Sequence, residues 1–374
     1  MPKGLDGVIV ATTQISKIDG TAGRLIYRGY DITQLAGVVP FESVVHLLWT
    51  GRIPSEKELI DFKSEIADRR SISPSLISFL KTVPRDANPL SVLRTAVSIL
   101  GLTSSSSKGE DAAASSSPID TGTSLVAQFP TIVASYDRIR RGEDPLEPRK
   151  DLGQAENYLY MLTGRVPETE RARAVDAYFV LLADHGLNAS TFSARVAIST
   201  LTDVYSAIVA AIGTLKGPLH GGAPSLVWDM LSEIGEARNV RPWINKRLES
   251  GERIMGFGHR IYRTEDPRSK ILKSLAKQIA DPKVYELAVE TEGEARRILQ
   301  EQHPKRALDT NVEFYSSLVL NASGIPKDAF TATFACSRVA GWMAHIIEQL
   351  SDNRIIRPQS EYVGPENLSI EPNA

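Results

Sequence analysis

The chain of 374 residues is short of cysteine, of net charge and of long uninterrupted apolar runs. Its single cysteine, Cys336, excludes an internal disulfide and a metal cage of thiolates, and is typical of a reducing compartment. Because 43 Lys and Arg residues nearly balance 45 Asp and Glu residues, the net charge of -2 creates no overall field that would attract nucleic acid or an anionic membrane. We therefore expect a cytoplasmic protein without a nucleic-acid partner, in which local groups hold any anionic ligand.

Targeting and membrane-spanning segments are also missing from the pattern. The N-terminal stretch MPKGLDGVIVATTQ has neither an extended apolar core nor an Arg-rich amphipathic pattern, so we expect no secretory or transit signal. The most apolar segment, Val196 to Leu215, contains Asp203, and its uncharged part begins only at Val204. Because a helix needs about 20 apolar residues to cross a bilayer, we predict buried helix here and no membrane association.

Capping residues, apolar spacing and the positions of the prolines predict a mostly α-helical, multi-helix fold. Ser55 and Glu58 form a capping-box pattern, and apolar residues follow at helical spacing as far as Ile66. Prolines between Pro40 and Pro167 separate helical segments with short connections. No stretch alternates strands with helices as a parallel α/β sheet would.

Two segments fall outside this helical pattern. The β-rich runs Val8 to Ile15 and Arg24 to Arg28 flank the turn-forming pair Asp19-Gly20, which predicts a short N-terminal β-hairpin. The stretch Ser104 to Ser117 is low in complexity and rich in small residues, which predicts a mobile surface loop.

The segment from Ala189 to Leu215 is dominated by Ala, Ser, Thr and Val. Small side chains let helix backbones pack closely and leave little polar surface for water. A buried helical layer of this kind in a soluble protein is often a subunit interface, so we predict a homodimer with a large apolar interface.

Two segments place a histidine beside glycines: KGPLHGG at Lys216 to Gly222 and IMGFGHRIYRTEDPR at Ile254 to Arg268. Glycine lets backbone amides approach a ligand, and histidine is suited to proton transfer near neutral pH. His220 precedes a predicted helix that begins near Ala223, and a helix N-terminus disfavours an added positive charge. An uncharged His220 would suit an enolate-like oxygen, although a buried histidine that caps the helix is an equally valid interpretation of this segment.

His259 follows Gly256-Phe257-Gly258, a turn whose amides would suit a phosphate or a pantetheine-like chain. Arg268 comes nine residues later, and an arginine can clamp a carboxylate with two parallel hydrogen bonds. The pair suits a keto acid. A surface loop with salt bridges is the alternative interpretation.

Glu313 is a candidate base because its neighbours Val312 and Phe314 would partly desolvate it and raise its basicity. The alternative is an ordinary ion pair or helix cap. His185, in ADHGLNAS, suggests a structural histidine when taken alone. Because no two histidines have the close spacing of a zinc helix motif, we predict no metal site.

Taken in order, the segments YRGYDI, ADHGLNAST, KGPLHGG, MGFGHRIY with DPR, NVEFYSS, CSRVAGWMAHIIEQ and IIRPQSEYVGP resemble the citrate synthase family from about Gly20 to Pro365. The most specific are KGPLHGG and GFGHR followed by DPR. The resemblance implies a mostly α-helical fold with a large domain of residues 1–221 and 323–374, and a smaller closing domain of residues 222–322.

The resemblance also implies condensation of an acyl-CoA thioester with a 2-oxo acid, with no permanently bound cofactor. His220 would contact the thioester oxygen, His259 would polarise the keto group of oxaloacetate and protonate the new alkoxide, and Glu313 stands where the family most often has an aspartate base. The implied oxaloacetate-binding residues are His185, Arg268, Arg338 and Arg357, the last reaching into the partner subunit of the dimer. The implied CoA-binding residues are Ile254, Met255, Gly256, Phe257 and Gly258, with Arg253 and Arg263 as phosphate partners.

Three functions stay open at this point. The leading prediction is a citrate synthase that uses acetyl-CoA. A 2-methylcitrate synthase that uses propionyl-CoA is the first alternative, because one methylene in an apolar pocket is discriminated by only about 1 to 3 kcal/mol. The replacement of the usual aspartate by Glu313 motivates the second, a catalytically silent CoA-binding protein.

Overall fold

The computed structural model describes residues 3–5, 7–106, 117–221, 223–259, 261–262, 264–303 and 308–368. Within these residues the chain forms fifteen α-helices and one small sheet, which confirms the predicted mostly helical class. The helices are α1 (Phe41–Thr50), α2 (Glu56–Asp68), α3 (Pro74–Thr82), α4 (Pro89–Ser106), α5 (Pro118–Arg140), α6 (Gln154–Thr163), α7 (Thr169–Leu182), α8 (Ala189–Ser199), α9 (Val204–Leu215), α10 (Ala223–Ile234), α11 (Val240–Glu249), α12 (Pro267–Ile279), α13 (Pro282–Gln302), α14 (Val312–Ala322) and α15 (Phe330–Ser351). Most of the predicted loop Ser104 to Ser117 lies outside the described residues, and Ser104 itself belongs to α4.

The sheet consists of β1 (Ser16–Asp19), β2 (Arg24–Tyr27) and β3 (Tyr30–Asp31), antiparallel in that order. The predicted hairpin around Asp19-Gly20 is therefore confirmed. The prediction of a strand over Val8 to Ile15 is wrong, because β1 begins at Ser16 and Ile9 is 89% exposed. Apolar composition does not make a strand where no neighbouring strand is available for pairing.

The capping box that opens α2 is confirmed. The backbone N–H of Ser55 donates to Oε2 of Glu58 over 2.9 Å, and the N–H of Glu58 donates to Oγ of Ser55 over 3.4 Å. Each side chain thus satisfies a backbone donor that the first helical turn leaves without a partner.

The apolar segment from Val196 to Leu215 is divided between α8 and α9, which pack against each other. Asp203 lies between the two helices and is the N-cap of α9, because its carboxylate accepts from the N–H of Ser206 over 2.9 Å. In the part of the chain that the structure describes, no helix is both long and apolar enough to cross a membrane.

Helix α15 lies at the centre of the molecule and packs against α5, α7 and α8. A Cβ on Gly341 would come within 2.3 Å of the carbonyl oxygen of Ala183, so only glycine permits this approach. The N–H of Gly341 donates to that same oxygen over 3.1 Å. This contact places the middle of α15 directly against the end of α7, where the residues leading to His185 begin.

Helices α10 to α14 pack on one another, α12 and α10 against α14 and α11 against α13. The buried carboxylate of Glu292 in α13 joins three of them, because it accepts from Nζ of Lys273 in α12 and from Oη of Tyr315 in α14, each over 2.5 Å. The helix that carries Arg268 and the helix that carries Glu313 are therefore held in a fixed relation.

A pair of carboxylates, on α1 and α7, lies beside a cavity of about 560 Å³ that Lys63 also lines. Oδ1 of Asp176 accepts from the N–H of Phe41 over 3.1 Å, and the adjacent Glu42 is buried and accepts from the N–H of Gln154 over 2.9 Å. Burial, followed by the negative charge of Glu42, raises the pKa of Asp176 to about 7. The ionised form of the Asp176 carboxyl therefore costs stability.

Asp176→Asn is expected to stabilise the protein at pH 8 by roughly 2 to 4 kcal/mol and to leave it nearly unchanged at pH 4. A raised carboxyl pKa gives stability that is present below about pH 4 and is lost as pH rises through about 7, whereas the amide keeps the bond to Phe41 at every pH. Urea unfolding at both pH values measures the difference. Asp68→Asn, at an exposed carboxylate paired with Lys150, is the control. An equal pH slope in parent and Asp176→Asn would contradict the assignment.

Candidate active site

Three aromatic side chains meet beyond the end of α7. Nε2 of His185 lies 3.3 Å from Oη of Tyr262, although the two residues are 77 positions apart in the chain. The ring of His259 lies 5.4 Å from that of His185 and 4.6 Å from that of Tyr262, centroid to centroid. The two histidines that the sequence places in separate segments therefore line one site.

The hydrogen bonds of His259 determine which of its nitrogens carries the hydrogen. Nδ1 accepts from the backbone N–H groups of Ile261 and Tyr262, each over 3.0 Å. A nitrogen that accepts carries no hydrogen, so the hydrogen is on Nε2. His259 thus presents an N–H donor on the side of the ring away from its own loop.

Both imidazoles are uncharged at neutral pH. Burial, and then the positive charge of Arg268, lowers the pKa of His259 to about 4. Burial also holds the pKa of His185 well below its usual range, with further contributions from Arg268, His259 and Arg338. The site already contains two guanidinium charges, and it excludes a third positive charge.

His220 lies just before α10, as predicted, with Nε2 2.9 Å from Oγ of Ser190 and accepting from the N–H of Ser190 over 3.3 Å. The accepting role of Nε2 leaves the hydrogen on Nδ1. The pKa of His220 falls to about 4, first because of burial and then because of the charge of Arg338. The imidazole is therefore uncharged, and burial and Arg338 are the main causes.

Arg268 and Arg338 are the buried cations of the site, exposed by only 3% and 2%. Asp266 accepts from Nε and Nη2 of Arg268 over 3.0 and 2.8 Å, which raises the pKa of Arg268 against the effect of burial. Nε of Arg338 donates to the carbonyl oxygen of Leu182 over 2.6 Å. The bidentate clamp predicted for Arg268 is occupied here by its own N-cap residue, so Nη1 is the remaining nitrogen of that fork.

Glu313 is the second residue of α14, and Oδ1 of the N-cap residue Asn311 accepts from its backbone N–H over 3.1 Å. Burial raises the pKa of the Glu313 carboxyl, and the charges of Arg268 and Arg338 oppose that rise. Those charges place the carboxylate in the same electrostatic environment as the three histidines. A carboxyl with a raised pKa is a stronger base than an exposed glutamate.

The loop Ile254 to Gly258 runs beside α14. Gly256 has φ +82°, and a Cβ there would come within 2.8 Å of the Phe314 ring. Asn311 binds the loop twice, because its N–H donates to the carbonyl oxygen of Gly256 over 2.9 Å and its Nδ2 donates to that of Gly258 over 3.0 Å. The N–H of Gly258 donates to the backbone carbonyl oxygen of Asp309 over 2.8 Å. This amide of the predicted cradle therefore already has a partner within the protein.

The remaining predicted residues lie apart from this cluster or outside the described residues. Arg253 is exposed beside the loop, and Arg357 is exposed in the segment that follows α15. Arg263 is not among the described residues, nor is Gly222 at the predicted domain boundary.

Several residues of the site were not predicted. Tyr262 contacts both His185 and His259, and Ser190 binds His220 while its Oγ accepts from Nε1 of Trp342 over 3.1 Å. Asp266 neutralises part of the charge of Arg268. Tyr262, Ser190 and Asp266 lie inside the motifs IYRTEDPR and ADHGLNAST, and that position is the only signal by which the sequence marks them.

The arrangement suits carbon chemistry on an anionic substrate. Buried guanidiniums can bind carboxylates, uncharged imidazoles can donate hydrogen bonds to developing oxyanions, and a carboxylate of raised pKa can remove a proton from carbon. Among the described residues no group of three or more His, Cys, Asp or Glu side chains has the geometry to hold a metal ion.

The family model described as "Citrate synthase, C-terminal domain" matches residues 4–359. The chain belongs to the citrate synthase family. It is therefore an acyltransferase of the kind that converts the acyl group to alkyl on transfer. Members of this family use an acyl-CoA as substrate.

Relatives span the whole chain and carry two names. Citrate synthase 2 of Bacillus subtilis (strain 168) is 43% identical, with 99% of this chain and 98% of the relative covered. A 2-methylcitrate synthase of Mycobacterium tuberculosis (strain Erdman) is 40% identical, with 97% and 91% covered. The citrate synthase of Thermoplasma acidophilum, solved as a ternary complex with carboxymethyl coenzyme A and oxaloacetate, has a TM-score of 0.90 at 32% identity, with 99% and 98% covered. The fold is thus that of citrate synthases.

Proposed function

We propose that the protein condenses acetyl-CoA with oxaloacetate and water, and releases citrate and CoA. The observation that carries this proposal concerns Glu313, whose carboxyl has a raised pKa. The positive charges of Arg268 and Arg338 reach this carboxyl, and the same two charges also reach His185. In this proposal Glu313 is the base for the carbon acid, and the arginines whose charges reach it belong to the binding site of the dianionic keto acid.

In this proposal His185, Arg268 and Arg338 bind the carboxylates of oxaloacetate. His259 donates its Nε2–H to the keto oxygen. Because this imidazole is uncharged, with a pKa of about 4, it acts as a hydrogen-bond donor without adding a permanent charge. The donation draws electrons from the keto carbon and prepares it for attack.

Glu313 then removes a proton from the acetyl α-carbon, and the electrons of the broken C–H bond form the enolate. Nδ1–H of His220 donates to the thioester oxygen where that negative charge develops. The α-carbon attacks the keto carbon, the keto oxygen becomes an alkoxide, and His259 transfers its Nε2 proton to that oxygen to give citryl-CoA. The proton that Glu313 took from the α-carbon then passes through water to Nε2, so both groups return to their starting protonation. Water then cleaves the thioester, which yields citrate and the free thiol of CoA.

The loop of Ile254, Met255, Gly256, Phe257 and Gly258 is proposed to hold the CoA chain, with Arg253 and Arg263 near its phosphates. Residues 222–322 are proposed as the smaller domain, which closes over both substrates against residues 1–221 and 323–374. Closure would exclude water until the carbon bond has formed. The connections between α12, α13 and α14 support movement of this part as a unit.

A homodimer is part of the proposal. Leu102 at the end of α4 and Leu201 just after α8 are 68% and 73% exposed, next to helices built from small residues. Arg357, exposed on a single chain, is proposed to reach the partner's site and bind a carboxylate there. A cytoplasmic location follows from the single cysteine and is proposed with it.

The second candidate function is condensation of propionyl-CoA to 2-methylcitrate, favoured by the relative of that name. Thiol release with oxaloacetate and each acyl-CoA decides between them. We expect kcat/KM to favour acetyl-CoA by roughly tenfold to a hundredfold, the range of one methylene. A preference for propionyl-CoA would overturn the proposal in favour of the second candidate. Absence of thiol release with both would support a silent CoA-binding protein.

A further inference from the structure

Asp184, the residue before His185, is held by hydrogen bonds at its backbone N–H, its carbonyl and one oxygen of its carboxylate. Oη of Tyr27 donates to its carbonyl oxygen over 2.7 Å and accepts from its N–H over 3.0 Å. Its Oδ2 accepts from Oγ of Ser16 and from the N–H of Gly186. The side chain is fully buried, so the backbone that leads into His185 has little freedom.

The other carboxylate oxygen of Asp184 faces His345 in α15. Nε2 of His345 lies 3.2 Å from Oδ1 of Asp184, and both side chains are fully buried. Among the described residues neither atom has a hydrogen bond to any other group, so the contact between them is the polar interaction that each makes. A buried polar atom without a partner is costly, so each atom depends on the other for what satisfaction it has.

Arg195 determines how His345 faces Asp184. Nη1 of Arg195 lies 3.2 Å from Nδ1 of His345, and a guanidinium can only donate. Nδ1 therefore accepts, and the imidazole carries its hydrogen on Nε2, towards Asp184. Arg195 is itself anchored by Oε2 of Glu348 over 2.7 Å and by Oε1 of Gln349 over 3.0 Å.

Asp184 also acts on Arg338, one of the two buried cations of the site. Burial lowers the pKa of Arg338, and the negative charge of Asp184 is the first influence that opposes this. The same carboxylate thus supports two groups proposed to bind oxaloacetate: His185 through the backbone and Arg338 through charge.

We propose that His345 is a positioning residue of the 2-oxo acid site. His345, with Arg195 behind it, holds Asp184 in place. Asp184 in turn fixes the backbone before His185 and places a negative charge near Arg338. The proposal deepens the proposed function and rests on it. His345 itself touches no substrate in this scheme. Its loss should weaken binding of the 2-oxo acid and spare the acyl-CoA.

His345→Leu is expected to raise the KM for oxaloacetate on the order of tenfold, as loss of an outer partner of a ligand-holding histidine does, with the KM for acetyl-CoA within twofold of the parent. His345→Gln should restore binding, since its amide can accept from Arg195 and donate to Asp184. Tyr158→Phe, which removes a buried hydrogen bond to Thr333 of 2.7 Å, controls for general destabilisation and should change neither KM.

An unchanged KM for oxaloacetate in His345→Leu would overturn the proposal, as would equal weakening of both substrates. If the leucine variant does not fold, His345→Asn, whose amide is too short to reach both partners, is measured in its place with the same expected rise. Titration calorimetry with oxaloacetate separates this inference from the proposed function. If the parent protein binds oxaloacetate but releases no thiol, the proposed function is wrong. Tenfold weaker oxaloacetate binding in His345→Leu would, even then, support the positioning role of His345.

Discussion

Glu313→Gln is expected to lower kcat roughly 10³-fold while the KM for oxaloacetate stays nearly unchanged. The amide is close in size to the carboxylate but cannot accept a proton from the acetyl α-carbon. Because burial raises the pKa of Glu313, the parent should also lose activity as pH falls through that raised pKa, and the variant should lack this acidic limb. Initial rates of thiol release from pH 5 to 9 measure both effects.

Glu313→Asp tests how closely the base is positioned. Removal of one methylene shifts the carboxylate by about 1 Å, which is expected to cost on the order of a hundredfold in kcat. Glu290→Gln, at an exposed glutamate of α13, is the matched control for Glu313→Gln and should behave as the parent. Full activity of Glu313→Gln in an active parent would show that another group removes the proton.

His220→Leu is the second large effect, with kcat expected to fall roughly 10² to 10³-fold, the usual cost of one oxyanion donor. Ser190 donates its N–H to Nε2 of His220, so the hydrogen on Nδ1 is the one available to the thioester oxygen. Leucine fills similar space without a donor. Stopped assays with saturating acetyl-CoA and oxaloacetate measure the loss.

Oxaloacetate binding distinguishes this role from a general defect. Calorimetry should give the same affinity for His220→Leu as for the parent, because His220 serves the acyl partner in this mechanism. His303→Leu, at the exposed end of α13, is the control and should keep full activity. Comparable loss of oxaloacetate affinity and turnover would show that His220 holds the site together instead.

The sequence predicted local structure well where one segment determines it. The box at Ser55 and Glu58 and the hairpin at Asp19-Gly20 depend on neighbours in the chain, and both are confirmed. The strand over Val8 to Ile15 was wrong, because pairing depends on a partner that composition does not reveal.

The candidate site divides in the same way. Glycine neighbours mark His220 and His259 in the sequence, but nothing local shows that Tyr262 touches His185, which lies 77 positions away. This contact depends on the packing of α7 against α12. The pairing of Asp266 with Arg268, by contrast, is local to the first turn of α12. The signs of the histidine pKa shifts likewise follow from burial and from buried arginines.

Asn311 has a consequence for timing. Its backbone and side chain bind the carbonyl groups of Gly256 and Gly258, and its Oδ1 caps the helix that carries Glu313. The proposed base and the loop proposed to hold the CoA chain are therefore tied to each other. In the proposed closure of residues 222–322 the thioester and its base would arrive together, and closure would set their distance from His220, His185 and Arg338.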